Sequence, residues 1–139
     1  MTANPLDFAA LERLVSAPPF HRWLGVRLRT LDDAFVEITM PWREEFVSNP
    51  QRRNTHGGVI AALIDLTADY AIAAKLGRGV PTVDMRVDFH AVAEAGEELV
   101  ARAWVIKLGR TLATAEARIL GAEGRLVASG RGVYLARSD

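Results

Sequence analysis

The segment Gly57 to Leu76, GGVIAALIDLTADYAIAAKL, constrains this chain more than any other. Strong helix formers run through it, and Gly77 stands where a helix end favours the left-handed conformation. The apolar residues Val59, Ile60, Leu63, Ile64, Leu66, Tyr70 and Ile72 go nearly all the way round, as in a helix covered by protein on most of its circumference. The remaining chain must therefore wrap it. The helix is expected over His56 to Leu76, 21 residues, with the Thr55 hydroxyl as its N-cap.

The flanking sequence supplies the wrapping. Phe8, Leu11, Leu14 and Val15 recur at helical spacing until Pro18-Pro19, which predicts a helical flank over residues 1–20. From Trp23 to Met40 the pattern alternates, with Asp32-Asp33 as a turn, and reads as a hairpin. Four β-like runs follow the helix: Thr82 to His90, Glu98 to Leu108, Thr111 to Leu120 and Leu126 to Leu135. Their separators, AEAGE, Gly109-Arg110 and GAEGR, have the composition and length of antiparallel hairpin turns. The expected architecture is α+β, one long helix wrapped by a curved antiparallel sheet of five to six strands, in a single domain over residues 1–139 with its core at about 25–136.

Bulk properties narrow the partners. Lys plus Arg and Asp plus Glu are each 17, so no net field draws in nucleic acid or an anionic membrane. The absence of cysteine removes disulfides, thiolate nucleophiles and Cys-based metal sites, and fits a reducing, cytoplasmic setting. Even the most apolar stretch holds two aspartates, which argues against a membrane span, and MTANPLDFAALERLV lacks the pattern of a signal peptide. His21, His56 and His90 are scattered, so no metal site is expected.

A carboxylate in a buried helix costs several kcal/mol unless it is paired or hydrogen-bonded. Asp65 therefore either faces a polar gap, caps a neighbouring loop or does chemistry, and Asp69, one turn further on, poses the same question. Gly57-Gly58 is the second anomaly, because each glycine in the first turn sacrifices up to about 1 kcal/mol of helix propensity. Either a strand crosses closely there, or free N–H groups are bared toward an oxygen that becomes negative, such as a thioester carbonyl under attack. Asp65 lies eight residues past Gly57, about 12 Å further along the helix axis. One chain cannot bring both to one carbonyl. If they share a site, it is formed by two subunits whose helices run side by side in opposite directions, with two equivalent sites per homodimer. Two such dimers are expected to pair.

His56-Gly57-Gly58 followed by Leu63, Asp65 and Ala71 closely resembles the signature of hotdog-fold acyl-CoA thioesterases of the phenylacetic-acid-degradation (PaaI-like) type. The likeness continues through Thr82-Val83-Asp84-Met85-Arg86-Val87-Asp88-Phe89, Gly109-Arg110-Thr111, Gly124-Arg125-Leu126-Val127-Ala128 and Gly130, and covers about residues 25–136 in consistent order. The resemblance implies Asp65 as nucleophile or general base, the Gly57 N–H on the thioester carbonyl, and His56 as a residue orienting the loop or the thioester. It places Thr82 where a hydroxyl holds the attacking water. An asparagine common six residues before the histidine is replaced by Pro50, and its role is carried to Asn49. Gly58 and Asp69 complete the set expected beside the substrate. FHAVAEAG departs from the family, with His90-Ala91 where many relatives have Arg-Pro.

The substrate implied is an aryl- or medium-chain acyl-CoA, with coenzyme A as part of the substrate and no separate cofactor. Its phosphates call for Arg or Lys, and Arg52, Arg53, Lys107 and Arg110 are the candidates. Two other readings compete: a hotdog hydratase or dehydratase, which needs a paired acid and base, and a non-catalytic acyl-CoA sensor.

Overall fold

A computed structural model describes residues 4–137; the first three residues of the expected flank and the last two of the expected domain lie outside that range. Helix α1 (Phe8–Ser16) begins at Asp7, whose carboxylate accepts from the Ala10 N–H at 2.8 Å, and it buries Leu11 and Val15. Pro19 then opens a second short helix, α2 (Pro19–Leu24), which ends at Gly25 with φ 77°. Trp23 and Leu24, expected to start the hairpin, are therefore helical. The reason is that proline ends one helix yet is pre-organised for the first position of the next.

Strands β1 (Arg27–Leu31) and β2 (Val36–Met40) form the expected hairpin around Asp32-Asp33. Helix α3 (Gly57–Leu76) follows, then β3 (Thr82–Phe89), β4 (Leu99–Leu108), β5 (Leu112–Leu120) and β6 (Leu126–Leu135). All six strands join one curved antiparallel sheet in the order β1-β2-β4-β5-β6-β3, wrapped around α3. Gly109-Arg110 and GAEGR make hairpins. AEAGE does not, which corrects the expectation from its composition. The chain leaving β3 bonds through the His90 and Ala91 N–H groups to Val127 O and through Ala93 O to the Thr55 N–H, then crosses the domain to β4. Turn residues dictate that a chain bends; which strand it meets next is set by burial of side chains far away.

The core explains the helix composition. On the sheet face toward α3, Ala101, Ala103, Ala113, Ala115 and Ala117 are buried and small, so the helix approaches closely and fills the space with Leu63, Ile64 and Ile72. Full burial of each of those large side chains is worth about 1.5–3 kcal/mol. Gly130 marks a close approach of helix and sheet, since a β-carbon there would lie 2.8 Å from Ile64 Cγ2 and 2.7 Å from Arg86 O. The two sheet edges differ. β1 has five residues, whereas β3 is an eight-residue strand that pairs, among the described residues, with β6 alone and is exposed along most of its length, with Val83 58% and Phe89 56% accessible.

Candidate active site

Helix α3 starts one residue later than expected and is capped by His56, not by Thr55. Thr55 is buried and paired in a bridge with Val47, so its backbone is turned into the fold. His56 Nδ1 accepts from the Gly58 N–H at 2.8 Å, which assigns the ring proton to Nε2 and leaves that N–H as a donor. Val59 and Ile60 both donate to His56 O. Of the first four amides of the helix, the Gly57 N–H is thus the one without a partner among the described residues. The glycine also has a packing reason. A β-carbon at Gly57 would lie 3.3 Å from the Phe89 ring, so a strand does cross closely at this residue.

Asp65 lies at the other end of β3. Its Oδ1 accepts from the Thr82 hydroxyl at 2.7 Å and from the Tyr134 hydroxyl at 3.1 Å, while Tyr134 also donates to Asp65 O at 2.9 Å. No hydrogen bond reaches Oδ2 among the described residues. The carboxylate is half-buried and carries one satisfied oxygen and one available oxygen. Tyr134 was not among the residues expected here. The signal that could have found it is the pair Gly130 and Gly132 just before it, because glycines inside a strand mark a close approach. Burial, followed by the Asp65 charge, raises the Tyr134 hydroxyl above its ordinary pKa and keeps it a donor.

Asp69 is used differently. Its Oδ1 accepts from the Val80 N–H at 3.0 Å, fixing the segment that delivers Thr82 to Asp65. Burial, and secondarily the nearby Asp65 charge, pushes its pKa from 3.8 to about 7. Asn49 is also turned inward to its own loop, its Oδ1 accepting from the Gln51 and Arg52 N–H groups at 2.9 and 3.2 Å. Arg53, in a left-handed conformation at φ 57°, pairs with Glu44. Arg52 and Arg53 precede the start of α3, whereas Lys107 and Arg110 lie at the β4–β5 turn, toward the sheet end near the helix C-terminus. One protomer does not gather the four cations. Nor do the two concavities at the helix C-terminal half and on the outer sheet face unite Gly57 and Asp65. A concavity of about 360 Å³ lies between the C-terminal half of α3 and the β1–β2 turn, and one of about 620 Å³ lies on the outer sheet face; neither is lined by Gly57 or Asp65. Among the described residues, no group of three or more His, Asp or Glu side chains could hold a metal ion, and no helix is long and apolar enough to cross a membrane.

The family model of the thioesterase superfamily matches residues 53–128, the stretch that carries the helix, Thr82 and most of the sheet. The chain belongs to the thioesterase superfamily. A crystal structure of another thioesterase-superfamily protein is 45% identical, with TM-score 0.90, over 94% of this chain and 98% of that one. Acyl-coenzyme A thioesterase 13 of Homo sapiens is 38% identical over 124 residues, 87% of each chain. The Escherichia coli PaaI protein, from the phenylacetic acid degradation operon, shares the fold with TM-score 0.78 at 24% identity, over 91% of this chain and 93% of its own. The hotdog architecture is thereby established, and this superfamily member is a thioester hydrolase.

Proposed function

We propose that the chain hydrolyses an aryl- or medium-chain acyl-CoA to the free acid and CoA, with Asp65 as the acting carboxylate. The observation that carries this is the 2.7 Å contact between Thr82 and Asp65 Oδ1, which leaves Oδ2 free on a fold built for thioester hydrolysis. Thr82 spends its single proton on Asp65 and keeps lone pairs that accept one hydrogen of a water. That water gives its other proton to Oδ2 and attacks the thioester carbonyl; alternatively Oδ2 attacks directly and the acyl-enzyme is hydrolysed. In both routes the carbonyl oxygen, becoming negative, accepts from the free Gly57 N–H, with the His56 Nε2–H as a neighbouring donor. The CoA thiolate leaves. Asn49 and Gly58 shape the loop and helix start around the carbonyl, and Arg52, Arg53, Lys107 and Arg110 meet the CoA phosphates from two chains.

The edge strand supports a homodimer. If β3 pairs antiparallel with β3 of a second copy, each Thr82 end lies beside the partner's Phe89 end. Asp65, against Thr82, then approaches Gly57 beneath the partner's Phe89. The same pairing covers the exposed edge with Val83 and Phe89. Pairing of two dimers would complete a tetramer, and the cysteine-free composition suits a cytoplasmic enzyme. A hydratase is less well supported, because the side chains on Asp65 are Thr82 and Tyr134 and no histidine is among them.

The test is hydrolysis of a panel of aryl- and fatty acyl-CoA esters by wild type and Asp65→Asn. Loss of general-base chemistry lowers kcat by about 10²- to 10⁴-fold on the preferred ester. Turnover unchanged by the substitution would end the Asp65 assignment, and absence of turnover on every ester would favour a sensor. Sedimentation is expected to give a dimer or tetramer.

A further inference from the structure

We infer that Tyr134 is a positioning residue for Asp65, and that Gly132 exists to let it reach. The inference rests on the hydrolytic reading of Asp65 above. Tyr134 sits near the end of β6, in register with Thr82 of β3, so one cross-strand pair supplies both hydroxyls on Asp65 Oδ1. Its side chain is fully buried. A large polar side chain at 0% exposure in an otherwise alanine-rich sheet face costs space and a desolvated hydroxyl, and the hydroxyl is spent entirely on Asp65, on Oδ1 at 3.1 Å and on the backbone O at 2.9 Å.

Gly132 shows that the arrangement is built. It lies two residues before Tyr134 on the same strand face, and a β-carbon there would overlap both the Tyr134 ring and its hydroxyl. The ring therefore lies back over Gly132 to reach the helix, and any other residue at 132 would push it off that path. The ring leans into the space of a missing side chain, and the reach ends at Asp65.

The consequence is orientation. The terminal torsion of an aspartate is broad, so a half-exposed carboxylate would sample many settings. Two donors on one oxygen from one strand pair, with the second clamped also to the backbone of Asp65, hold the plane of the carboxylate and present Oδ2 in a fixed direction. A group held before the substrate arrives need not be ordered during the reaction. Because the Tyr134 hydroxyl stays protonated, the clamp is always a donor.

Tyr134→Phe tests this, with Tyr70→Phe as the matched control. Tyr70 is also buried on α3 and its hydroxyl donates to Leu14 O at 2.9 Å, tying α1 to the helix without touching Asp65. Both substitutions keep the ring and remove one buried hydroxyl. Tyr134→Phe is expected to lower kcat about five- to tenfold with KM unchanged, while Tyr70→Phe shifts Tm by a similar amount and leaves kcat within twofold. Equal kcat in the two variants, with Asp65→Asn inactive, would overturn the positioning role while leaving the hydrolytic reading intact. If Asp65→Asn is itself fully active, the hydrolytic reading fails first. Gly132→Ala provides a second check, since displacement of the ring should reproduce the kcat loss of Tyr134→Phe in folded protein. A folded Gly132→Ala with wild-type kcat would contradict the proposal.

Discussion

Asp65 and Asp69 stand one turn apart on the same helix, and the fold treats them in opposite ways. Asp65 meets two hydroxyls arriving from β3 and β6 and keeps an oxygen free. Asp69 meets a backbone N–H from the loop before β3, and burial drives its pKa to about 7. Nothing in the local sequence separates them, since both follow apolar residues in a run of good helix formers. What a helix carboxylate does is set by the segments the fold lays against it, and here one of those segments is 69 residues away in the chain.

Substitution of each to asparagine breaks the comparison most sharply. On the proposed mechanism Asp65→Asn removes the acting group and is expected to lower kcat about 10²- to 10⁴-fold, whereas Asp69→Asn, which can still accept from Val80, is expected to keep kcat within about threefold. Steady-state kinetics on one acyl-CoA ester decides it, and equal losses in the two variants would show that the helix face acts as one undivided acidic patch.

The next effect belongs to Thr82. Thr82→Val preserves shape and removes both the donor to Oδ1 and the proposed acceptor for the attacking water, so kcat is expected to fall about tenfold, with recovery in Thr82→Ser. A serine no better than valine would mean that the methyl group, and not the hydroxyl, matters at this strand position.

The remaining effect is on stability. Asp69 has a folded pKa raised from 3.8 to about 7, so between those values the unfolded chain holds fewer protons than the folded one. Its contribution to stability is therefore fully present below pH 4, is lost as pH rises toward 7, and is flat above. Asp69→Asn should gain about 4 kcal/mol more stability over wild type at pH 8 than at pH 4, read by denaturant unfolding at the two pH values. The same gain at both would assign it to something other than ionisation.

Much of this was legible in the sequence. The encircling apolar pattern of α3 required a wrapping sheet, the alternation of β1 and β2 gave their hairpin, and Gly57-Gly58 flagged the helix start. Hairpin composition did not reveal that AEAGE crosses the fold to leave β3 at the edge, because strand order follows from side-chain burial on the far face. His56 displaced Thr55 as the cap because a ring nitrogen two residues before Gly58 reaches its N–H directly. Tyr134 escaped notice for the same reason Asp65 and Asp69 looked alike: its contact is long-range, visible only as a glycine two residues earlier that leaves room for a ring.

The central claim is that each site takes Asp65 from one chain and Gly57 from another, and subunit mixing tests it most directly. Gly57→Pro deletes the free N–H at the first helical position, where proline is favoured; His56 at φ −60° and ψ 134° already has the backbone that precedes a proline, and the Phe89 ring, 3.3 Å from the added β-carbon, must give by a few tenths of an ångström. Gly57→Pro and Asp65→Asn homodimers should each be nearly inactive. Unfolded together and refolded at equal amounts, half the dimers are mixed and one of the two sites in each is intact, so activity should return to about a quarter of wild type. A site complete within one chain has no intact copy in any of these dimers, and a mixture as inactive as its parents would contradict the account.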